Sequence, residues 1–220
     1  MRIVSVADTH TFQADLTVPD GDVFIHAGDM CRGGTLAELT GVADWIRALP
    51  HRHKIIVAGN HDWCFTRERA NALALLGPDV VYLQDRRHVI DDVVFWGSPW
   101  QPAFNDWAFN LPRGAALAEK WQLICDDVDV LITHGPPAGF GDRSWDTRAG
   151  CEDLLRAVRR VEPRLHVFGH IHQDGGVWHD GATTFANVTT WECEREPTVV
   201  DLNHRTVESV SVPPARPPRS

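Results

Sequence analysis

An α/β layered domain is what the sequence predicts, and three observations carry that expectation. Short Val- and Ile-rich runs recur along the chain, segments with helical spacing separate several of them, and the C-terminal part turns to hairpin patterns. The runs are RIVSVA (2–7), VFIHA (23–27), KIIVA (54–58), VVFWG (93–97), VDVLIT (128–133) and LHVFG (165–169). Their hydrophobicity is continuous rather than alternating, which marks strands buried on both faces. Helical spacing covers 36–49, 68–76, 115–124 and 152–161. GGVWHDGATTFANV reads as a hairpin turning at Asp180 and Gly181, and PTVVDLNHRTVESVSV as a second turning near Asn203 and His204. The closing PPARPPRS holds four prolines in eight positions, so residues 1–212 are read as one domain and 213–220 as a solvated, extended tail.

Composition narrows the function classes. At 220 residues and 43% hydrophobic content the chain can build one sizeable core. No apolar stretch reaches the roughly 18 residues that span a bilayer, and MRIVSVADTH lacks the basic start and cleavage site of a signal peptide, so a cytoplasmic protein with no membrane partner is expected. Cys31, Cys64, Cys125, Cys151 and Cys193 are odd in number and lack CxxC spacing, which argues against a disulfide framework and against a zinc ribbon. With 21 basic and 30 acidic residues, a net charge of −9 makes DNA a poor partner. A small phosphate ester remains open if bound cations do locally what the surface does not.

The strand ends are where such cations would sit. The first ends in Asp8-Thr9-His10, the second in Gly28-Asp29, the third in Gly59-Asn60-His61-Asp62, the fifth in Thr133-His134 and the sixth in Gly169-His170-Ile171-His172. In open α/β sheets ligands bind beyond the carboxyl ends of the strands, so five such loops can converge on one point. Alternate residues of Asp-x-His and His-x-His project to the same side of an extended loop and can grip one ion. Each element alone has an ordinary explanation, such as a turn, a helix cap or a loop histidine. It is the ordered set of five that ordinary explanations fail to cover.

D-x-H, GD, GNH[DE], a lone His after a strand and GH-x-H together form an ordered signature, and the chain resembles the calcineurin-like metallophosphoesterases that carry it. PAFNDWAFNLPRG, THGPP, GCEDLL, LHVFGHIH and DGATTFAN are similar to the metallophosphoesterase-domain-containing phosphodiesterases, a class III cyclic nucleotide phosphodiesterase-like group, over nearly the whole chain. The resemblance implies a four-layered αββα sandwich, a dinuclear site at the sheet edges, and hydrolysis of small phosphodiesters, with cyclic nucleotides as a candidate substrate. It assigns Asp8, His10 and His172 to a first metal and Asn60, His134 and His170 to a second, with Asp29 bridging both. Two divalent ions about 3.5 to 4 Å apart can share a carboxylate and a hydroxide, which attacks phosphorus in line. Nitrogen and oxygen donors without thiolate suit manganese or iron first, with zinc or cobalt next. The position three after Asp29, where purple acid phosphatases place a tyrosine ligand, is Arg32, so a ferric tyrosinate centre is excluded.

Within GNHD, His61 is then free to face the substrate as the general acid that protonates the leaving alkoxide, with Asp62 expected to hold or tune its imidazole. The aromatic segment 97–112 reads either as a pocket wall that stacks on a base or as core packing. Arg32 and Arg143 are candidate phosphate clamps, and Asn187 ends a C-terminal strand within reach of the site. HRHK (51–54) has metal-clip spacing but precedes its strand and reads as a turn. Two other functions stay open. A phosphomonoesterase or protein phosphatase is weakened because Gly28-Asp29 is followed by Met-Cys-Arg-Gly-Gly rather than completing GD-x-x-D-R-G, and a non-catalytic scaffold is weakened by the intact ligand set.

Overall fold

A computed structural model describes residues 1–203, 207–211 and 213. Twelve strands of three or more residues are present among them: β1 (Arg2–Val6), β2 (Val23–His26), β3 (His53–Ile56), β4 (Val80–Tyr82), β5 (Arg86–Ile90), β6 (Val93–Ser98), β7 (Val130–Thr133), β8 (Leu165–Phe168), β9 (Gly176–Asp180), β10 (Thr183–Asn187), β11 (Thr198–Leu202) and β12 (Val207–Ser211). The first sheet runs β12-β11-β1-β2-β3-β4 and the second β9-β10-β8-β7-β6-β5. Strands β1 to β4 pair in parallel, as do β6, β7, β8 and β10, so the carboxyl ends of the ligand-bearing strands share one edge. Antiparallel strands close both sheets: β11 and β12 beside β1, β9 beside β10, and β5 beside β6.

The alternation of side chains sorts the core into three layers. Ile3, Ile25, Ile55 and Val57 of the first sheet pack against Phe95, Val130, Ile132 and Val167 of the second. On the outer face of the first sheet, Val4, Phe24 and Ile56 meet Leu39, Val42 and Ile46 of α1 (Leu36–Ala48) and Ala72 and Leu76 of α3 (Arg69–Leu76), the latter preceded by the short α2 (Cys64–Arg67). On the outer face of the second, Trp96, Leu131 and Phe168 meet Leu117 and Trp121 of α4 (Ala115–Gln122) and Leu154 and Val158 of α5 (Glu152–Val161). The result is the expected four-layered αββα sandwich. Each fully buried aliphatic or aromatic side chain contributes about 1.5–3 kcal/mol to it.

Local signals explain the helix starts. Thr35 accepts from Glu38 N while the Glu38 carboxylate accepts from Thr35 N, a reciprocal capping box that opens α1. Helix α5 carries Glu152 and Asp153 in its first turn and Arg159 and Arg160 in its last, the order that complements the helix dipole. Two points differ from the sequence reading. Strands β4 and β5 were not foreseen, because one has three residues and the other is an edge strand exposed along most of its length. Asp180 pairs with Thr183, so the hairpin turns at Gly181 and Ala182 instead of Asp180 and Gly181. The C-terminal hairpins extend the two sheets, one hairpin each. The expected turn at Asn203-His204 and the tail fall mostly outside the described residues. No described helix is long and apolar enough to cross a membrane, and all five cysteines are free.

Candidate metal centre

Every predicted ligand arrives at the shared edge, from both sheets. Asp8 and His10 follow β1, Asp29 follows β2 and Asn60 follows β3, whereas His134 follows β7 and His170 and His172 follow β8. Three groups of side chains are close enough to hold an ion: Asp8 with His10 and His172, His10 with Asp29 and His61, and Asp29 with His134 and His170. Asp29 is common to two of them. Its Oδ2 lies 3.9 Å from His10 Nε2 and 3.4 Å from His134 Nε2. Asp8 Oδ1 is 3.7 Å from His172 Nε2, and Asn60 Oδ1 is 2.9 Å from His134 Nε2.

Backbone geometry at these positions is costly. Asp8 (φ 57°), His10 (44°), Asp29 (55°) and His170 (70°) all occupy the left-handed region. Each such residue costs on the order of 1–3 kcal/mol and persists where the surroundings over-determine it. The turn they make directly after a strand swings the side chain into the cleft. Crowding around Asp29 also dictates two glycines. A Cβ on Gly28 (φ 101°) would come within 2.4 Å of His134 Nδ1, and one on Gly59 within 2.2 Å of Asp29 Oδ1.

The donor set fits divalent cations. His10 Nδ1 bonds the Cys31 carbonyl at 3.1 Å and His134 Nδ1 the Ala27 carbonyl at 2.9 Å, so each ring donates from Nδ1 and leaves Nε2 for the cleft. In that tautomer the His134 Nε2 lone pair faces the Asn60 carbonyl oxygen, an arrangement that needs a positive charge between them. The protein alone answers with a proton. Burial opposes the His134 cation, yet Asp29 outweighs burial and its pKa is pushed up to about 9. At His172, too, burial is outweighed by Asp8, which raises its pKa. Burial pushes the Asp8 and Asp29 carboxyls up, but His172 for the one and His134 for the other hold both below the usual carboxylate range.

His61 and His172 stand half-buried at the mouth of the cleft with His170, above the buried Asp8, His10, Asp29, Asn60 and His134. The His61 ring is held from two sides. Its Nδ1 bonds the Arg32 carbonyl at 2.6 Å, and its face lies on Trp107 with ring centroids 4.1 Å apart. Asp62 does not hold that ring, which corrects the expectation. Its buried carboxylate instead accepts from the backbone amides of Gly59 (2.8 Å), Cys31 (2.9 Å) and Met30 (3.3 Å), tying the loops after β2 and β3 together. Burial, with Asp29 nearby, pushes its pKa up to about 6 despite those amides.

Other side chains take roles that the sequence left open or did not show. Asn187 does not face the cleft. Its Nδ2 donates to the carbonyls of Gly141, Ile171 and Asp174 and fixes the loop that carries His172. The Arg32 guanidinium lies over Phe12, and the Arg143 amide donates to Asp174. The aromatic segment divides: Phe109 and Trp100 pack with the core, Trp107 covers His61 and Phe104 meets His170 edge to face at 5.2 Å. Arg195, almost fully buried, donates from Nη1 to the His172 carbonyl, a role with no motif to announce it. His51 of HRHK is buried at the start of β3, away from the ligand edge.

Fold and cleft together define a metal-dependent phosphoesterase architecture. The chain matches the family model for calcineurin-like phosphoesterases over residues 1–174 and belongs to that family. It is 42% identical over 233 aligned positions to human metallophosphoesterase domain-containing protein 1, covering 91% of this chain and 71% of that one. The UPF0046 protein K07C11.7 of Caenorhabditis elegans is also 42% identical, over 85% of this chain and 69% of its own. Among solved structures, TT1561 of Thermus thermophilus shares the fold with a TM-score of 0.66 at 15% identity, covering 96% of this chain and 98% of that one.

Proposed function

We propose that this phosphoesterase hydrolyses small phosphodiesters, cyclic nucleotides among them, with Asp8, His10 and His172 holding one divalent ion, Asn60, His134 and His170 a second, and Asp29 both. The observation that carries the reading is the position of Asp29. One buried carboxylate oxygen lies between the free Nε2 atoms of two imidazoles, one from each sheet. Such ions, manganese or iron first and zinc or cobalt otherwise, supply Lewis acidity and lower the pKa of water when bound. The chain supplies the rest. His61, at the rim, donates Nδ1–H to the Arg32 carbonyl and lies on Trp107; in its imidazolium form it gives the Nε2 proton to the departing alkoxide and is left neutral. Asp62 acts one step back, by fixing the loops that carry Asp29 and Asn60.

A diester fits better than a monoester because it brings one negative charge fewer. The arginine lining the cleft pocket, Arg113, is already bonded to the carbonyls of Ala149 and Gly150. The free thiols are in keeping with a reducing cytoplasm. The test is metal analysis combined with a panel of mono- and diesters. Two ions per chain, and diester turnover abolished by a chelator and restored by manganese, are expected. A single ion at saturation would overturn the dinuclear assignment, and faster monoester turnover would make the protein a phosphomonoesterase.

A further inference from the structure

One segment grips the backbone beside the proposed first ion from both sheets and supplies no ligand itself. It is the strap at residues 188–197, which joins β10 to β11. Thr189 bridges Ala7 in parallel, Thr190 donates from N (2.9 Å) and from Oγ1 (2.8 Å) to the Ala7 carbonyl, and Glu192 N donates to the Asp8 carbonyl at 2.8 Å. The strap turns back through Trp191 (φ 49°), Glu192 (55°) and Cys193 (67°), three consecutive residues in the left-handed region. That conformation is unfavourable for side-chain-bearing residues and persists where the surroundings over-determine it. Arg195 closes the turn, its N donating to the Thr190 carbonyl at 2.9 Å.

The Arg195 side chain reaches from the strap to the loop after β8. It is 5% exposed, and its Nη1 donates to the His172 carbonyl at 2.9 Å. Its Nε is buried with no partner among the described residues, and burial works against its charge, with Asp8 and Asp174 opposing. Folding stability alone gives no reason to bury a guanidinium there, since an apolar side chain of similar volume would serve at least as well. Trp191 covers the group, its ring centroid 5.6 Å from Arg195 Cζ and 6.3 Å from that of the His172 ring. Gly175 has ordinary extended backbone (φ −68°, ψ 135°), yet a Cβ on it would collide with Arg195 Nη1. The guanidinium, not the backbone, dictates that glycine.

Resting on the assignment of Asp8, His10 and His172 to one ion, we infer that Arg195 is the positioning residue of that half of the centre: its strap holds the backbone of Asp8 and its guanidinium the backbone of His172. Two ligands drawn from opposite sheets are thereby kept at one separation, with Asp8 Oδ1 3.7 Å from His172 Nε2. Asn187 anchors the same turn at the Ile171 and Asp174 carbonyls, whereas Arg195 holds the ligand residue itself. The other half is organised differently, with His134 bonded to Asn60 and to the Ala27 carbonyl. Loss of Arg195 should therefore be felt by one ion and not by both.

The test is calorimetric titration of the full chain with manganese, run as a double-variant cycle. Arg195→Met keeps an unbranched side chain and removes the donor. It is expected to weaken one ion by about 10- to 100-fold and to leave the other unchanged, and Arg195→Lys, which keeps a charged donor, should recover most of the loss. In a His172→Ala chain, whose imidazole is already gone, adding Arg195→Met should change the remaining affinity by no more than about twofold. Gly175→Ala, which crowds the guanidinium and touches neither ligand, should reproduce the selective loss, and it decides the matter if Arg195→Met does not fold. An equal loss with and without the His172 imidazole would overturn the inference, because Arg195 would then serve the cleft at large. Unchanged affinity in both Arg195→Met and Gly175→Ala would overturn it too. A single ion in wild type would defeat the dinuclear reading, and the cycle would still decide whether that ion depends on Arg195 through His172.

Discussion

The two sheets bring opposite kinds of support to the same cleft. On the first-sheet side, the loops after β2 and β3 turn backbone amides inward, and a buried acceptor, Asp62, gathers three of them. On the second-sheet side, the loops around Gly141 and His172 turn carbonyls inward, and a buried donor, Asn187, gathers three of those. The donors to the cleft differ in the same sense. The first sheet sends Asp8 and Asp29 along with His10 and Asn60, and the second sends imidazoles only. Negative charge and its organising carboxylate thus sit on one side, with imidazoles on the other. Asp29 approaches histidines from both halves, and Asp8 with His172 and Asn60 with His134 also span them.

The largest expected effect follows from that junction. Asp29→Asn removes a charge facing both halves and should abolish diester turnover and lower metal content at both positions. His172→Ala removes one donor from the second half and should be rescued by excess manganese. If metal analysis and saturation kinetics show both variants rescued alike, the junction is not at Asp29. Next comes the one imidazole proposed to act on substrate. His61→Ala should slow an alkyl-type diester such as a cyclic nucleotide by about 10² to 10⁴-fold, with much less effect on a nitrophenyl diester, whose leaving group needs no proton. His170→Ala should instead lose metal and slow both substrates equally.

Smaller effects are expected at the two organising side chains. Asn187→Asp sets a carboxylate against three carbonyl oxygens, and Asp62→Asn sets an amide N–H against backbone N–H groups. Each should cost about 10- to 100-fold in manganese affinity, read by titration, with Asn187→Asp giving the larger fall in melting temperature because it buries an unpaired charge. Equal, negligible changes in both would remove the contrast between the halves.

The smallest effect concerns a pair of buried histidines. His26 bonds Thr9 in the first half and His166 bonds Thr133 in the second, each at 2.9 Å. Burial holds both at about 3, although carboxylates oppose it at His26 and nothing comparable does at His166. Folded His166 therefore stays neutral as the pH falls, while the unfolded chain takes up a proton near 6.5. Above that pH it adds no pH dependence. Between about 6.5 and 3, stability is lost as the pH falls, by about 1.4 kcal/mol per unit. Denaturant unfolding of His166→Gln at pH 7.5 and 5.5 should show a shallower loss than wild type.

The convergence of Asp8, His10, Asp29, Asn60, His61, His134, His170 and His172 on one cleft was legible, because it depends on local order. Each directly follows a buried strand or lies within a few residues of its end, and parallel strands bring those ends to one edge. The supporting residues were not legible. Asp62 sits in the motif, but its partners Met30 and Cys31 are 32 and 31 residues away, and sequence adjacency pointed wrongly to His61. Asn187 and Arg195 reach the His172 loop only after the C-terminal strands have joined the sheets.

By itself, then, the sequence determined the α/β alternation, four helices nearly to their ends, and which Asp, Asn and His residues stand at the strand ends, since periodicity and strand-end position are properties of neighbouring residues, while the αββα layering and the ligand assignment came from the resemblance. Only the tertiary structure decided that β9 and β10 would extend one sheet and β11 and β12 the other, and that Phe104 would stand at a cavity while Trp107, three residues on, covers His61. Phenylalanine and tryptophan in a loop carry no period that says which faces water. That is settled by the bridge between 101–102 and 110–111 and by the bond from Ala108 to Asn60, contacts that exist only once the strands have met.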